Sequence, residues 1–308
     1  MHDTGPNCDR CHNSNGTEDM NTQHHVRRLE REITGLSTSD GAGVKLLRSL
    51  GSGPHARLDP FLMLDEFSSV NPGDYIAGFP AHPHRGFDTV TYLLDGHMRH
   101  EDHMGNVGHI KSGGVQWMTA GRGVIHSEMP EQVEGRMRGF QLWINLPARE
   151  KMKPAVYRDI LPEQIPVLKL ANGGFVKAIA GEISIEGKTV QGPIHGVSTE
   201  PVYLDVMLPP HCEISFNVAN HHHAFVYTYE GKVQIGDRVV NNHCAGVLTE
   251  GDKIELRSQD QETRFLVLAG KPIGEPVVQY GPFVMNTRAE VEQAVMDYQN
   301  GTLTQVAS

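Results

Sequence analysis

The chain has 308 residues, more than one hydrophobic core usually supports, so two domains are expected. Its 38% apolar and 21% charged residues are ordinary for a globular protein and exclude a fibrous or wholly disordered chain. A net charge of -10 argues against a nucleic-acid backbone as the main partner, because no basic stripe is present to release phosphate counterions.

Residues 1 to about 30 are rich in Asn, His, Thr and Asp and have little to bury, so a disordered extension is expected there. Cys8 and Cys11 in this stretch form a lone CxxC beside His12, with no strand or helix pattern to fix it as a zinc or redox site. From Ile33 the pattern changes to short apolar runs cut by Gly, Pro, Asp and Asn. GVKLLRSLG, FDTVTYLLDG, VQWMTAGRG and FQLWINLP each read as a strand ending in a turn. A polar, Pro-punctuated stretch over 150–166 follows and marks the joint between two domains, 31–150 and 151–308. After it, FVKAIAGEI, VYLDVMLPP, EISFNVAN, AFVYTYEGKVQIG, GVLTEGDKIEL and TRFLVLAG repeat the style. TYLLDG and VYTYEG, ending at Gly96 and Gly231, both run into an acidic-Gly turn, which suggests a duplicated antiparallel barrel. The last element differs. Thr287 and Glu290 form a capping box, and Val291, Val295 and Tyr298 recur at helical spacing, so one C-terminal helix is expected to dock on a barrel. No secretory leader and no apolar run near the ~20 residues of a membrane span is visible, so the expected location is the cytoplasm. Cys212 and Cys244 read as ordinary free thiols.

The chemistry concentrates in GFPAHPHRGFDTVTYLLDG and WMTAGRGVIHSEMP. His82 and His84 are two apart, so on an extended strand both rings face the same way. His126 and Glu128 repeat that spacing about forty residues later. Two neighbouring strands, each presenting two donors inward, give three imidazoles and one carboxylate around a point. That set suits one divalent first-row metal with two positions left open. His97, His100, His103 and His109 lie between the pairs and are expected on an exposed hairpin.

The motifs HPHRGFDTV, TYLLDGHMRHED, QWMTAGRGVIHSEMP and GPFVMNT resemble the pirin family of the cupin superfamily, over roughly residues 33–300. The resemblance implies an all-β bicupin, two antiparallel barrels with a C-terminal helix, and metal held only in the N-terminal barrel by His82, His84, His126 and Glu128. Iron, as Fe(II), is the ion it points to, although manganese, cobalt, nickel, copper or zinc fit the same donors. Asp88 stands where many cupins carry a ligand Glu, and Ser112, Gly113 and Gly114 stand where relatives often have PGD. The run His221, His222, His223 is set aside as a second cupin site. His221 and His223 lie ten and eight residues before Gly231, whereas His82 and His84 lie fourteen and twelve before Gly96, which aligns His223 with Asp88.

Two functions are implied. Pirin-like bacterial proteins resemble quercetinases, which open a flavonol ring with O₂ and release carbon monoxide. On that reading a flavonol and O₂ are the substrates, Glu128 is the base, and Phe79 and Phe87 either stack on the substrate or fill the core. The alternative is a metal- or redox-dependent regulator that binds a transcription factor or a metabolic enzyme. Sugar-phosphate isomerisation is disfavoured, since only Arg85, Lys111 and Arg122 accompany the motif.

Overall fold

The computed structural model describes residues 1–2, 25–53 and 56–305. The Cys8 and Cys11 segment therefore lies outside the described residues. Every ladder between the strands is antiparallel, and each half of the chain builds one seven-stranded and one four-stranded sheet. In the first half the larger sheet centres on Phe87–Asp95, Met137–Asn145 and Phe61–Ser69. The smaller one runs in the order Phe79–His84, Val124–Pro130, His97–Asp102, Val107–Lys111. In the second half the larger sheet centres on His223–Glu230, Thr263–Gly270 and Val202–Leu208. This is the duplicated all-β architecture expected from the sequence.

The central strands are buried on both faces, which explains their nearly unbroken apolar runs. In Phe87–Asp95, Val90 and Tyr92 join Phe140, Tyr203, Phe225, Tyr227 and Leu266 in one core between the two large sheets. Alternation then turns Thr89, Thr91 and Leu93 toward the interior of the first half. The interior of the second half is filled instead by Leu204, Val206, Val226, Phe265 and Val267. Buried polar pairs tie the halves together. Tyr92 donates to Asp205 (2.6 Å), Tyr227 donates to Glu66 (2.8 Å), and Arg138 donates to the Tyr229 carbonyl (2.7 Å) and pairs with Glu66 (3.3 Å).

The termini are exchanged between the halves, which differs from the boundaries expected at 30 and 151. Leu29–Thr34 pairs with Cys244–Leu248 and so extends the large sheet of the second half. Order begins before residue 30, because Arg27 donates to the carbonyls of Thr249, Ala219 and Asn220. At the other end, the hairpin Val278–Tyr280/Phe283–Met285 and the helix Arg288–Gln299 pack on the first half. Phe283, Ala294 and Leu303 form a small core with Ile125. The capping box is made as expected: Thr287 Oγ1 accepts from the Glu290 amide, and Glu290 accepts from the Thr287 amide. Val291 and Ala294 are the buried helix residues, while Tyr298 is largely exposed. Two motif glycines follow from this docking. At Gly86 (φ +95°) a side chain would run into the Val284 carbonyl oxygen, and at Gly123 (φ +157°) into that of Leu303.

Candidate metal centre

The two ligand pairs lie on adjacent strands, Phe79–His84 and Val124–Pro130. His126 stands opposite His82 and Val124 opposite His84, and a register shift between His126 and Glu128 sets Glu128 opposite Phe79. Such a bulge re-aims a side chain, and here the carboxylate is carried toward Thr91. The rings converge: centroids lie 4.3 Å apart for His82 and His126, 4.7 Å for His82 and His84, and 5.0 Å for His84 and His126.

The hydrogen bonds leave one lone pair per ring for the common centre. His82 donates through Nδ1 to the Pro80 carbonyl at 2.8 Å, freeing Nε2. His84 Nδ1 and His126 Nε2 are buried without a hydrogen-bond partner. An orphaned imidazole nitrogen in a dry site is costly unless something accepts its lone pair, and a metal ion does that. Burial, with His82 beside it, pushes the His84 imidazole well below its ordinary pKa. Burial together with His84 and His82 does the same to His126. Both rings are therefore neutral, the form that binds a metal. His82, His84 and His126 bring one nitrogen each within 4.8 Å of one another, a set that fits a divalent transition metal, whereas the Glu128 carboxylate reaches that distance with His126 and His100.

Neighbouring residues orient these donors. His126 Nδ1 lies 3.3 Å from His100 Nδ1; with the proton on His126, His126 Nε2 is free and His100 carries its own proton on Nε2, 3.9 Å from Asp102. His100 is fully buried and stacked on Tyr157 at 4.5 Å, a correction to the exposed hairpin position expected for it. His97, His103 and His109 are exposed. The missed signal was alternation: Met98 and His100 share the inward face of His97–Asp102. Thr91 Oγ1 lies 2.9 Å from Glu128 Oε1 and 2.6 Å from the Gln141 amide oxygen Oε1, whose O and N positions are interchangeable by a flip. A hydroxyl has one proton and a carboxylate only accepts, so Thr91 donates to Glu128. Gln141 must then present its N–H to Thr91 and turn its carbonyl away.

Asp88 faces away from the centre and accepts from Trp117 Nε1 at 3.1 Å. Ser112 Oγ bonds Gly96, and Gly113 (φ +84°) makes the turn expected there. A cavity of about 620 Å³ opens over the centre. His82, His84 and Glu128 line it together with Phe67, Phe79 and Trp143, and the C-terminal tail brings in Pro282. Phe87 is fully buried, packed 5.2 Å from His84 and 4.3 Å from Trp143, and belongs to the core.

Two family models match the sequence, Pirin over residues 43–144 and the Pirin C-terminal cupin domain over 203–304. The chain belongs to the pirin family. It is 55% identical over 275 residues to a Pseudomonas aeruginosa protein named "Putative quercetin 2,3-dioxygenase", covering 88% of this chain and 95% of that protein. It is 40% identical to human pirin, covering 89% and 93%. A crystal structure titled quercetin 2,3-dioxygenase from Acinetobacter baumannii superposes with a TM-score of 0.83 at 32% identity, covering 91% of this chain and 99% of that one.

Proposed function

We propose that this pirin is a metal-dependent dioxygenase acting on a flavonol such as quercetin, with His82, His84, His126 and Glu128 as ligands and Glu128 also as the base. The observation that carries this reading is the cavity. Its volume lies within the roughly 300–1,000 Å³ typical of small-molecule sites, and its lining combines the donors with aromatic side chains. Phe67, Phe79 and Trp143 offer aromatic surface on which a flat ring system would stack in the same cavity as the histidines. Thr91 engages Oε1 of Glu128 and leaves Oε2 to take the hydroxyl proton. A divalent metal bound there supplies Lewis-acid stabilisation of the resulting oxyanion. Iron is the expected ion and a flavonol with O₂ the expected substrates. In keeping with a protein free of the membrane, no helix among the described residues is long and apolar enough to cross one.

The test is to load the protein separately with iron, manganese, nickel, cobalt, copper or zinc, add quercetin under oxygen, and follow the flavonol absorbance. Saturable decay that is lost in His82→Ala supports the proposal. Absence of decay with every metal overturns it and leaves the regulatory reading.

A further inference from the structure

A second group of donors lies in the other half of the molecule. His222 is 95% buried, its Nδ1 makes no hydrogen bond, and its Nε2 has only a long contact with Glu200. A buried imidazole with one nitrogen orphaned and the other only loosely held calls for an ion or water as a further partner. Glu200 Oε2 lies 3.5 Å from Nε2, and the exposed His221 ring stands 4.8 Å from the His222 ring. One donor atom from each of Glu200, His221 and His222 falls within 4.8 Å of the others.

The surroundings hold these residues in place. Arg27, itself buried, donates to the carbonyls of Ala219 (3.0 Å) and Asn220 (3.3 Å) and so pins the turn that carries both histidines. His223, the next residue, is committed elsewhere, donating from Nδ1 to the Asp59 carbonyl at 2.6 Å. The Lys271 amide donates to the Thr199 carbonyl at 2.7 Å, which sets the Glu200 loop beside the turn. Glu200 adopts φ +44°, a left-handed conformation uncommon for a residue with a side chain. Lys271 Nζ lies 3.1 Å from Glu200 Oε1 and occupies the carboxylate that an ion would use. Its side chain is half exposed, so it can swing away.

We propose that Glu200, His221 and His222 form a second divalent-cation site, separate from the centre in the first half. Two imidazoles and one carboxylate favour zinc, nickel, cobalt or copper over calcium or magnesium. Both loops would be tied together by the ion, with water completing its shell. Lys271 is the internal competitor: it holds Glu200 when no ion is bound.

The test uses the full-length protein with Cys8→Ser and Cys11→Ser in every arm, so that those thiols contribute nothing. Apo protein is titrated with zinc, followed by calorimetry and by elemental analysis after desalting. Two equivalents are expected. Glu200→Gln, at an exposed position that does not threaten folding, should weaken the second equivalent at least about tenfold, and His222→Ala should abolish it. Lys271→Met should tighten it by removing the competing charge. In a His82→Ala, His126→Ala background the second equivalent should persist. A single equivalent in the starting protein overturns the proposal. So does a second equivalent that is indifferent to Glu200→Gln, His222→Ala and Lys271→Met alike.

Discussion

Thr91→Val removes one hydroxyl from a buried site and preserves the shape of the side chain. Two groups lose their partner: Glu128 Oε1, which receives the hydroxyl proton at 2.9 Å, and the Gln141 amide at 2.6 Å. Stranding a buried polar group costs about 1–3 kcal/mol. Partners that orient a metal ligand typically carry 10–100-fold in affinity, or about 1.4–2.7 kcal/mol, so two independent estimates agree in size. The physical step is rotational. Freed of Thr91, the carboxylate is no longer held in one orientation and must be fixed again when the metal binds. Metal affinity is measured by competition with a chromophoric chelator, and Thr91→Ser, which keeps the hydroxyl, is the control. The expected result is a tenfold or greater loss for Val and nearly full affinity for Ser. Equal affinities for threonine, serine and valine would refute the assignment of Thr91 as the residue that holds Glu128.

Glu128→Gln keeps an oxygen donor but loses the charge and nearly all basicity, so it should retain metal through three imidazoles yet lose most flavonol turnover, with a smaller loss at high pH where the flavonol is already ionised. Arg138→Met removes the guanidinium from Glu66, 1% exposed, and leaves it only Tyr227 and His243 as partners, so it should cost about 1–3 kcal/mol in urea unfolding. The hydrogen bond from His243 to Glu66 (2.7 Å) raises the imidazole above its usual 6.5. A raised folded-state pKa adds stability that is complete below the unfolded value and fades as pH climbs through the folded one. With the His243 side chain 40% exposed the effect is below about 1 kcal/mol, so the melting advantage of the parent over His243→Gln should shrink as pH rises above 6.5.

The convergence of His82, His84 and His126 was legible because the pattern is local: donors at i, i+2 need only an extended strand to share a face. The strands were legible for the same reason, since FDTVTYLLDG carries its period and its turn within ten residues. What failed depended on partners far away in sequence. Leu29–Thr34 reads as the start of whatever follows it, and only its register with Cys244–Leu248 assigns it to the second half. His100 was read as one of four loop histidines, although the alternation through Met98 was available. The family resemblance added the expectation of a single metal-bearing half, but no spacing rule could bring Glu200 to His222 from a separate loop.

The exchange of ends gives the second half a part in the chemistry, even though its own interior is filled with aliphatic and aromatic side chains. Val124–Pro130 carries His126 and Glu128, two of the four proposed donors, and its Ile125 rests on Phe283, Ala294 and Leu303. Arg85, next to His84, is 3% exposed, pairs with Asp297 of the terminal helix at 2.7 Å, and donates to the Leu303 carbonyl. Lys151, 1% exposed, directs its ammonium to Gly86 O, Asn145 Oδ1 and Val284 O, three acceptors for three donors, and one of them belongs to the tail. Without the tail, two cations beside the ligand motif would lose partners, and an unpaired buried charge costs several kcal/mol. The cavity would also lose the wall formed by Gln279, Gly281 and Pro282. The second half therefore acts as the scaffold that returns the chain's end to the back of the ligand strand, and the geometry at His82, His84, His126 and Glu128 depends on residues more than a hundred positions away.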